Sequence, residues 1–206
     1  MHYWLKQIGL LERVVLGLLL ASILFLVYGL GVRDASVHAQ SQKDSIASAK
    51  AFLQASGVFQ HPRCRNCHPQ GDHPLVGDNG RPHHEGVKRG PEGKGIEGLE
   101  CSGCHKEENQ AGKGNPPGAP GWHLPSEKMP LIFQNRTPGQ LCAQLKDPAR
   151  NGGRTVAEIV THVREHPLVL WGWDPGQGRK PVSMPHKEFV KAMSEWAAKG
   201  AACPKP

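Results

Sequence analysis

Two copies of one cysteine and histidine pattern are the residues of this chain best suited to chemistry. Residues 64–68 read CRNCH and residues 101–105 read CSGCH, with 33 residues between the inner cysteines. Two thiols one helical turn apart can each form a thioether bond to a vinyl group of haem, and the histidine that follows can bind the iron. The pattern therefore predicts two covalently attached haems of the c type.

This prediction assigns six residues in two sets. Covalent attachment is expected from Cys64, Cys67, Cys101 and Cys104, and proximal iron ligation from His68 and His105.

A four-cysteine zinc site is the main alternative, because two C-x-x-C pairs also describe such sites. The pairs of a zinc site are usually separated by about 15–20 residues, and zinc requires no histidine after each pair. Here the separation is longer and both pairs carry the histidine. Redox-active disulfides are a second alternative, but the complete pattern favours haem.

Composition indicates a small protein with a thin aliphatic core. The chain has 206 residues, of which 38% are hydrophobic, with 25 glycines and 18 prolines. Two porphyrins would supply the buried apolar surface that such a chain lacks. We therefore expect a mostly α, loop-rich domain over residues 40–206, wrapped around two covalent haems and carrying a C-terminal helical part.

The net charge narrows the class of partner. It is +7 for the whole chain and +6 without residues 1–39. No block of lysine and arginine occurs, which argues against nucleic-acid binding. The positive charge suits either docking to an acidic redox partner or an ordinary solvated surface.

The N-terminal segment, residues 1–39, is predicted to be a secretory signal peptide or a membrane anchor. Residues 14–32 form an uncharged apolar run of 19 residues, long enough to span a bilayer. Val37 and Ala39 match the small-residue pattern of a cleavage site. Both alternatives place the rest of the chain outside the cytoplasm, in the bacterial periplasm, where c-type haems are attached.

Helical patterns occur on both sides of the two motifs. Residues 43–56 are predicted to form a helix that ends at Gly57, with Ile46, Ala49 and Leu53 on the face that covers the first haem. Residues 69–100 and 106–136 are rich in glycine and proline and are predicted to be loops.

The C-terminal third is predicted to hold three helices. A capping box opens the first at Thr137, and this helix ends near Pro148. Thr155 opens the second, and the third extends from about Pro185 to Lys199. Their apolar stripes are expected to pack helix on helix.

The second axial ligands are harder to assign, because eight further histidines follow residue 39. A low-spin electron carrier needs one more histidine or methionine for each iron. His83 and His123 stand on loops of suitable reach and are the predicted distal ligands, with Met129 in reserve. His162 and His166 lie one turn apart beside an apolar stripe, where they could bind metal or simply pack.

Two cysteines remain outside the motifs. Cys142 and Cys203 form an even pair in an oxidising compartment, which predicts a disulfide bond, with two buried free thiols as the alternative.

The chain also resembles a family of short bacterial dihaem cytochromes c, often labelled as subunits of an isoquinoline 1-oxidoreductase. The resemblance covers about residues 59–204. Besides the two attachment motifs, it depends on residues 61–62, 77–78, 87–91, 122–124, 144–148, 151–152 and 170–173.

The resemblance implies a periplasmic protein that accepts electrons from a molybdenum hydroxylase and relays them toward the respiratory chain. It also implies His83 rather than His84 as a ligand. The chain has no molybdopterin or iron–sulfur pattern, so the hydroxylation itself is not expected here. A dihaem redox enzyme, such as a peroxidase with one open iron site, is the alternative.

Overall fold

A computed structural model describes residues 2–83 and 86–205, except for the side chains of residues 2–14, 16, 23 and 26–36. The chain divides into two compact units, residues 1–44 and 45–206. The helices are α1 (His2–Gln60), α2 (Pro62–Arg65), α3 (Cys101–Cys104), α4 (Pro138–Lys146), α5 (Pro148–Asn151), α6 (Val156–Glu165), α7 (Pro167–Leu170), a 3-10 helix (Trp171–Trp173) and α8 (His186–Ala198). The strands are β1 (Leu75–Val76), β2 (Arg81–Pro82), β3 (Gly95–Ile96) and β4 (Leu99–Glu100). The prediction of a mostly α, loop-rich chain is thus confirmed.

The apolar run at residues 14–32 lies within α1. Among the described residues, no helix is long and apolar enough to cross a membrane. Side chains of about half of this run, including residues 26–32, lie outside the described part. The signal peptide or anchor therefore stays a prediction.

The prediction for the helix at residues 43–56 is wrong in its face and its limits. Ile46 and Leu53 leave 64% and 48% of their surface exposed, and Ala49 is half-buried. The helix is part of α1 and passes through Gly57 to Gln60. We attribute the error to two competing stripes, because a second one at helical spacing carries two phenylalanine rings.

That second stripe consists of Ser48, Phe52, Ala55 and Phe59, all of which are buried. Phe52 packs against Trp196 of α8, with ring centroids 5.2 Å apart. The Ser48 hydroxyl donates to the Trp196 carbonyl at 2.7 Å. The end of α1 is therefore part of the C-terminal helical core.

The helical core is built from α4, α6 and α8 as the apolar stripes predict. Leu141, Phe189, Met193 and Trp196 are each no more than 1% exposed. Thr137 and Thr155 form complete capping boxes at the starts of α4 and α6, with reciprocal bonds to Gln140 and Glu158. These local predictions are confirmed, because a capping box depends only on residues three positions apart.

Cys142 on α4 and Cys203 in the C-terminal tail are joined by a disulfide bond. The bond ties the segment after α8 to the first helix of the core, as the sequence predicted.

The long segment between the two motifs is ordered by short hairpins and one arginine. Strands β1 and β2 pair antiparallel, and so do β3 and β4. Arg89 is 2% exposed, and its guanidinium donates to the carbonyls of Pro125 at 2.7 Å and Gly71 at 3.1 Å. A buried cation with several carbonyl partners fixes loops that have little apolar side-chain surface of their own.

Candidate functional site

The first motif follows directly after the end of α1. His61 caps α2 by accepting a hydrogen bond at Nδ1 from the Arg63 amide at 3.2 Å. The turn continues beyond the helix, because the Cys67 amide donates to the Cys64 carbonyl at 3.1 Å. The two thiols therefore lie one turn apart, and neither forms a disulfide.

A cavity of about 440 Å³ borders this motif. Its wall includes Cys64, Cys67 and His68. Part of the apolar wall comes from α1, α6 and α8, including Val58, Phe59, Ile159, Val163 and Phe189. Its volume lies in the usual range for small-molecule and cofactor sites, roughly 300–1,000 Å³.

Burial controls the chemistry of the groups in this wall. It raises the pKa of the Cys64 thiol to about 12 and that of the Cys67 thiol to about 11. Both thiols are therefore protonated at neutral pH, unlike the low-pKa thiolates of disulfide oxidoreductases.

The His68 ring is held with one nitrogen turned toward a backbone carbonyl. Its Nδ1 lies 2.8 Å from the Leu131 carbonyl oxygen, and its ring stacks on Phe133 with centroids 3.9 Å apart. Because that oxygen only accepts, Nδ1 carries the proton and Nε2 keeps its lone pair. Burial lowers the pKa of His68 to about 4, although the Leu131 bond acts in the opposite direction.

The second motif forms α3, which follows the β3–β4 hairpin. The Cys101 amide donates to the Lys94 carbonyl at 2.9 Å, and the His105 amide donates to the Cys101 carbonyl at 2.9 Å. Cys101 is buried, whereas Cys104 is exposed. Cys64 and Cys67 of the first motif are both half-buried, so Cys104 is the most exposed of the four motif cysteines.

His105 repeats the arrangement of His68. Its Nδ1 lies 2.7 Å from the Pro117 carbonyl oxygen, so Nε2 again keeps its lone pair. One face of its ring stacks on Trp122 with centroids 4.5 Å apart and planes 3° from parallel. Burial lowers the pKa of His105.

Glycine allows the loop around Pro117 to pack closely. A Cβ atom on Gly118 would lie 2.0 Å from the Glu108 carbonyl oxygen, so no other residue fits. Asn109 ties the same loop to the 3-10 helix, because its Oδ1 accepts from the Gly118 amide at 3.2 Å and from the Trp171 indole at 3.0 Å.

Hydrogen bonds divide four of the remaining histidines by the ring nitrogen that is left for a metal. Nδ1 of His166 accepts from the Leu168 amide at 3.3 Å, as Nδ1 of His61 accepts from Arg63. In these two rings the neutral form places its proton on Nε2. In His73 and His123, Nδ1 instead lies against the carbonyls of Val87 at 2.8 Å and Gly121 at 2.5 Å. Nε2 of these two rings therefore keeps its lone pair, as in the motif histidines.

The predicted distal residue His83 lies next to the second motif. The centroids of the His83 and His105 rings are 6.4 Å apart, and their planes are inclined by 63°. Two imidazoles on opposite sides of one metal ion, with each nitrogen about 2 Å from it, have centroids about 6 Å apart. The spacing is therefore compatible with one metal ion between the two rings. His84 lies outside the described residues.

The other predicted distal residue, His123, borders the cavity of the first motif. So do His162 and His166 of the helical part. The reserve ligand Met129 also borders it, and the Gly152 amide points at its sulfur from 2.6 Å. The structure thus brings several possible ligands to His68 and one, among the described residues, to His105.

His162 is the residue whose position could not be chosen from the sequence. It lies on α6 between Ile159 and Val163, which both border the cavity. Burial lowers the pKa of His162 to about 4, with the nearby His166 and Arg154 adding to the effect. The helical spacing of residues 159, 162, 163 and 166 was the available signal, but it also fits ordinary packing. Among the described residues, no group of three or more histidine, cysteine or acidic side chains is placed to hold a metal ion.

No family model, curated protein or solved structure matches this chain.

Proposed function

We propose that the chain is a dihaem cytochrome c that carries electrons, with His68 and His105 as the proximal ligands. The observation that carries this proposal is common to both motifs. In each, Nδ1 of the motif histidine is bonded to a backbone carbonyl, which leaves the lone pair of Nε2 available to a metal. Such a bond orients a ligating imidazole and makes it more basic, and it is the usual outer partner of metal-bound histidine.

The residues of the first cavity fit the group that the motif implies. The wall is apolar over most of its area, the two thiols stand on one side, and the wall also carries the cations Arg63 and Arg154. Arg63 is 6% exposed, and its Nε has no hydrogen-bond partner in the part of the chain that the structure describes. A porphyrin presents an apolar ring together with two carboxylates. The ring would pack against the apolar lining, and the carboxylates would pair with the cations.

Haem iron, when bound, supplies one-electron transfer by cycling between the ferric and ferrous states. The chain would hold each haem through the two thiols of its motif, would supply imidazoles such as His68 and His105 to the iron, and would set the polarity around it. His83 is the distal ligand that we propose at the second motif. At the first motif His123 remains the proposed ligand, and His162 is a second candidate because α6 holds it in the cavity wall.

The surplus of imidazoles favours an electron relay over an enzyme. A peroxidase needs one iron position that is vacant or exchangeable, whereas a relay benefits from two filled positions on each iron. Both motifs have further imidazoles nearby, which supports filled positions. Through the family resemblance we further propose a periplasmic location, soluble or tethered through residues 14–32, and a molybdenum hydroxylase as the electron donor.

Two measurements on the protein made with a cytochrome c maturation system test this proposal. A pyridine haemochrome assay with intact mass should count two covalent haems per chain. The reduced protein should bind carbon monoxide slowly or not at all. Stoichiometric zinc without haem absorbance would overturn the cofactor assignment, and rapid carbon monoxide binding with peroxide turnover would replace the relay by the enzyme.

A further inference from the structure

Arg63 is a buried cation in the wall of the first cavity. It directly precedes Cys64, and its side chain is 3% exposed. One side of its guanidinium is occupied, because Nη2 lies 2.5 Å from Oδ1 of Asp78. The group also lies near the face of Trp171, with its central carbon 5.9 Å from the ring centroid.

One donor of this guanidinium, Nε, is not satisfied by the described part of the protein. Nε of Arg63 is buried and has no hydrogen-bond partner among the described residues. Leaving a buried donor unpaired costs about 1–3 kcal/mol, and more for a charged group, so native proteins rarely do so. A ligand acceptor in the cavity would remove this cost.

The Arg63 guanidinium indicates which chemical group on a ligand would accept its hydrogen bond. A guanidinium forms its strongest hydrogen bonds with carboxylates and phosphates. Arg154, whose Nη1 donates to the Asn151 carbonyl at 3.1 Å, adds a second cation to the same wall. An apolar cavity with cations in its wall is suited to an apolar ligand that bears carboxylates.

We propose that Arg63, oriented by Asp78, binds a haem propionate in the first cavity, and that the charges of this pair set the reduction potential of that haem. The inference depends on the proposed function. Reduction adds one negative charge to the haem, so a nearby cation stabilises the reduced form and raises the potential. The Asp78 carboxylate offsets part of that effect. Because the Asp78 side chain is 49% exposed, its share is partly screened by solvent.

Removing the charge of Arg63 and removing the charge of Asp78 should therefore shift the reduction potential in opposite directions. Arg63→Gln should make one of the two potentials more negative. At the wild-type midpoint of that haem, we expect the ferric to ferrous ratio to rise about tenfold, equivalent to about 59 mV for one electron. Asp78→Asn should shift the same potential in the positive direction by a smaller amount. Arg63→Lys keeps the charge and should fall between the wild type and Arg63→Gln.

The experiment is a spectroelectrochemical titration of the purified holoprotein and these variants. Lys50→Gln is the matched control, because Lys50 is an exposed cation on α1 outside the cavity wall. Its two potentials should equal those of the wild type.

Shifts of the same sign in Arg63→Gln and Asp78→Asn, or shifts no larger than in the control, overturn the inference. If Arg63→Gln does not accumulate, Asp78→Asn and Arg63→Lys decide it, since both keep the buried cation. A preparation without covalent haem contradicts the proposed function instead, so the two failures are distinguishable.

Discussion

The two motifs share one local geometry but lie in different surroundings. The first lies against the helical core, and its cavity is lined by residues of α1, α6 and α8. The second lies on glycine-rich loops between a short hairpin and the 106–136 segment, with Cys104 exposed. The same five-residue pattern is therefore used once beside a largely apolar cavity and once on loops with an exposed cysteine.

The different surroundings of the two motifs suit them to different tasks in electron transfer. Apolar surroundings disfavour the added charge of an oxidised iron and protect its ligands from water, whereas a site near the surface gives a partner short access to the ring edge. If both sites hold haem, the second is the better place for electron exchange and the first is the better place for tuning. Trp122 lies between these surroundings, because it stacks on His105 and also borders the first cavity.

Removal of one thiol from each motif should show the largest difference in stability and haem content between the two sites. Cys67→Ala should lose most of the first haem and destabilise the core by about 3–5 kcal/mol, as for loss of a large buried group. Cys104→Ala should lower the content of the second haem with a smaller loss of stability. Haem per chain and denaturant midpoints measure both effects, and equal destabilisation by the two variants would contradict the proposed difference.

Removal of distal imidazoles should affect one motif at a time. His83→Ala should convert the second haem from low spin to high spin, which changes half of the total signal. Either His123→Ala or His162→Ala should do the same at the first haem. The measurement is electron paramagnetic resonance, repeated in a Cys101→Ala background to isolate the first haem. His73→Ala is the control and should leave both spin states unchanged. A Met–iron charge-transfer band would instead assign Met129.

Loss of the disulfide should weaken the helical core and leave the second motif unaffected. Cys142→Ser together with Cys203→Ser should lower the free energy of unfolding by about 2–4 kcal/mol. The spectrum of the second haem at native temperature should not change, because the bond joins α4 to the C-terminal tail. Thermal unfolding followed at haem and far-ultraviolet wavelengths tests both statements, and loss of the second haem would show that the two regions are not separable.

Acid should weaken the helical part that carries His162. Burial holds the pKa of His162 at about 4, below its ordinary value of 6.5, so the unfolded chain binds more protons between these values. Stability should therefore fall as pH drops from 6.5 toward 4, by on the order of 1–2 kcal/mol after allowance for partial exposure. Denaturant midpoints at pH 7 and 4.5 should show a smaller difference in His162→Gln. The same difference in midpoint in His162→Gln as in the wild type would show that His162 does not cause the pH dependence.

Local signals allowed much of the helical part to be predicted. The capping boxes at Thr137 and Thr155 and the stripes of α4, α6 and α8 depend on residues within a few turns of each other. The face of α1 could not be chosen in this way. The stripe that contains Phe52 and Phe59 is buried because Trp196 and Phe133 pack against it from far along the chain.

The candidate site was likewise predictable where it depends on local sequence and not where it depends on contacts between distant residues. The motif residues follow from spacing alone, and the reach of loops was enough to suggest His83 and His123. The carbonyl partners of the motif histidines have no sequence signal, because Leu131 lies 63 residues from His68 and Pro117 lies 12 from His105. The position of His162 on the cavity wall depends in the same way on how α6 packs.

The disulfide has a consequence for how the folded chain responds to proteases. It closes a covalent ring that begins at Cys142 and ends at Cys203, a separation of 61 residues. The ring contains α5, α6, α7 and the 3-10 helix, together with most of α4 and all of α8. A single cut within it leaves both pieces covalently joined, so non-reducing electrophoresis should show one band where reducing electrophoresis shows two. The wall that carries His162 would then stay attached to the rest of the chain after such a cut.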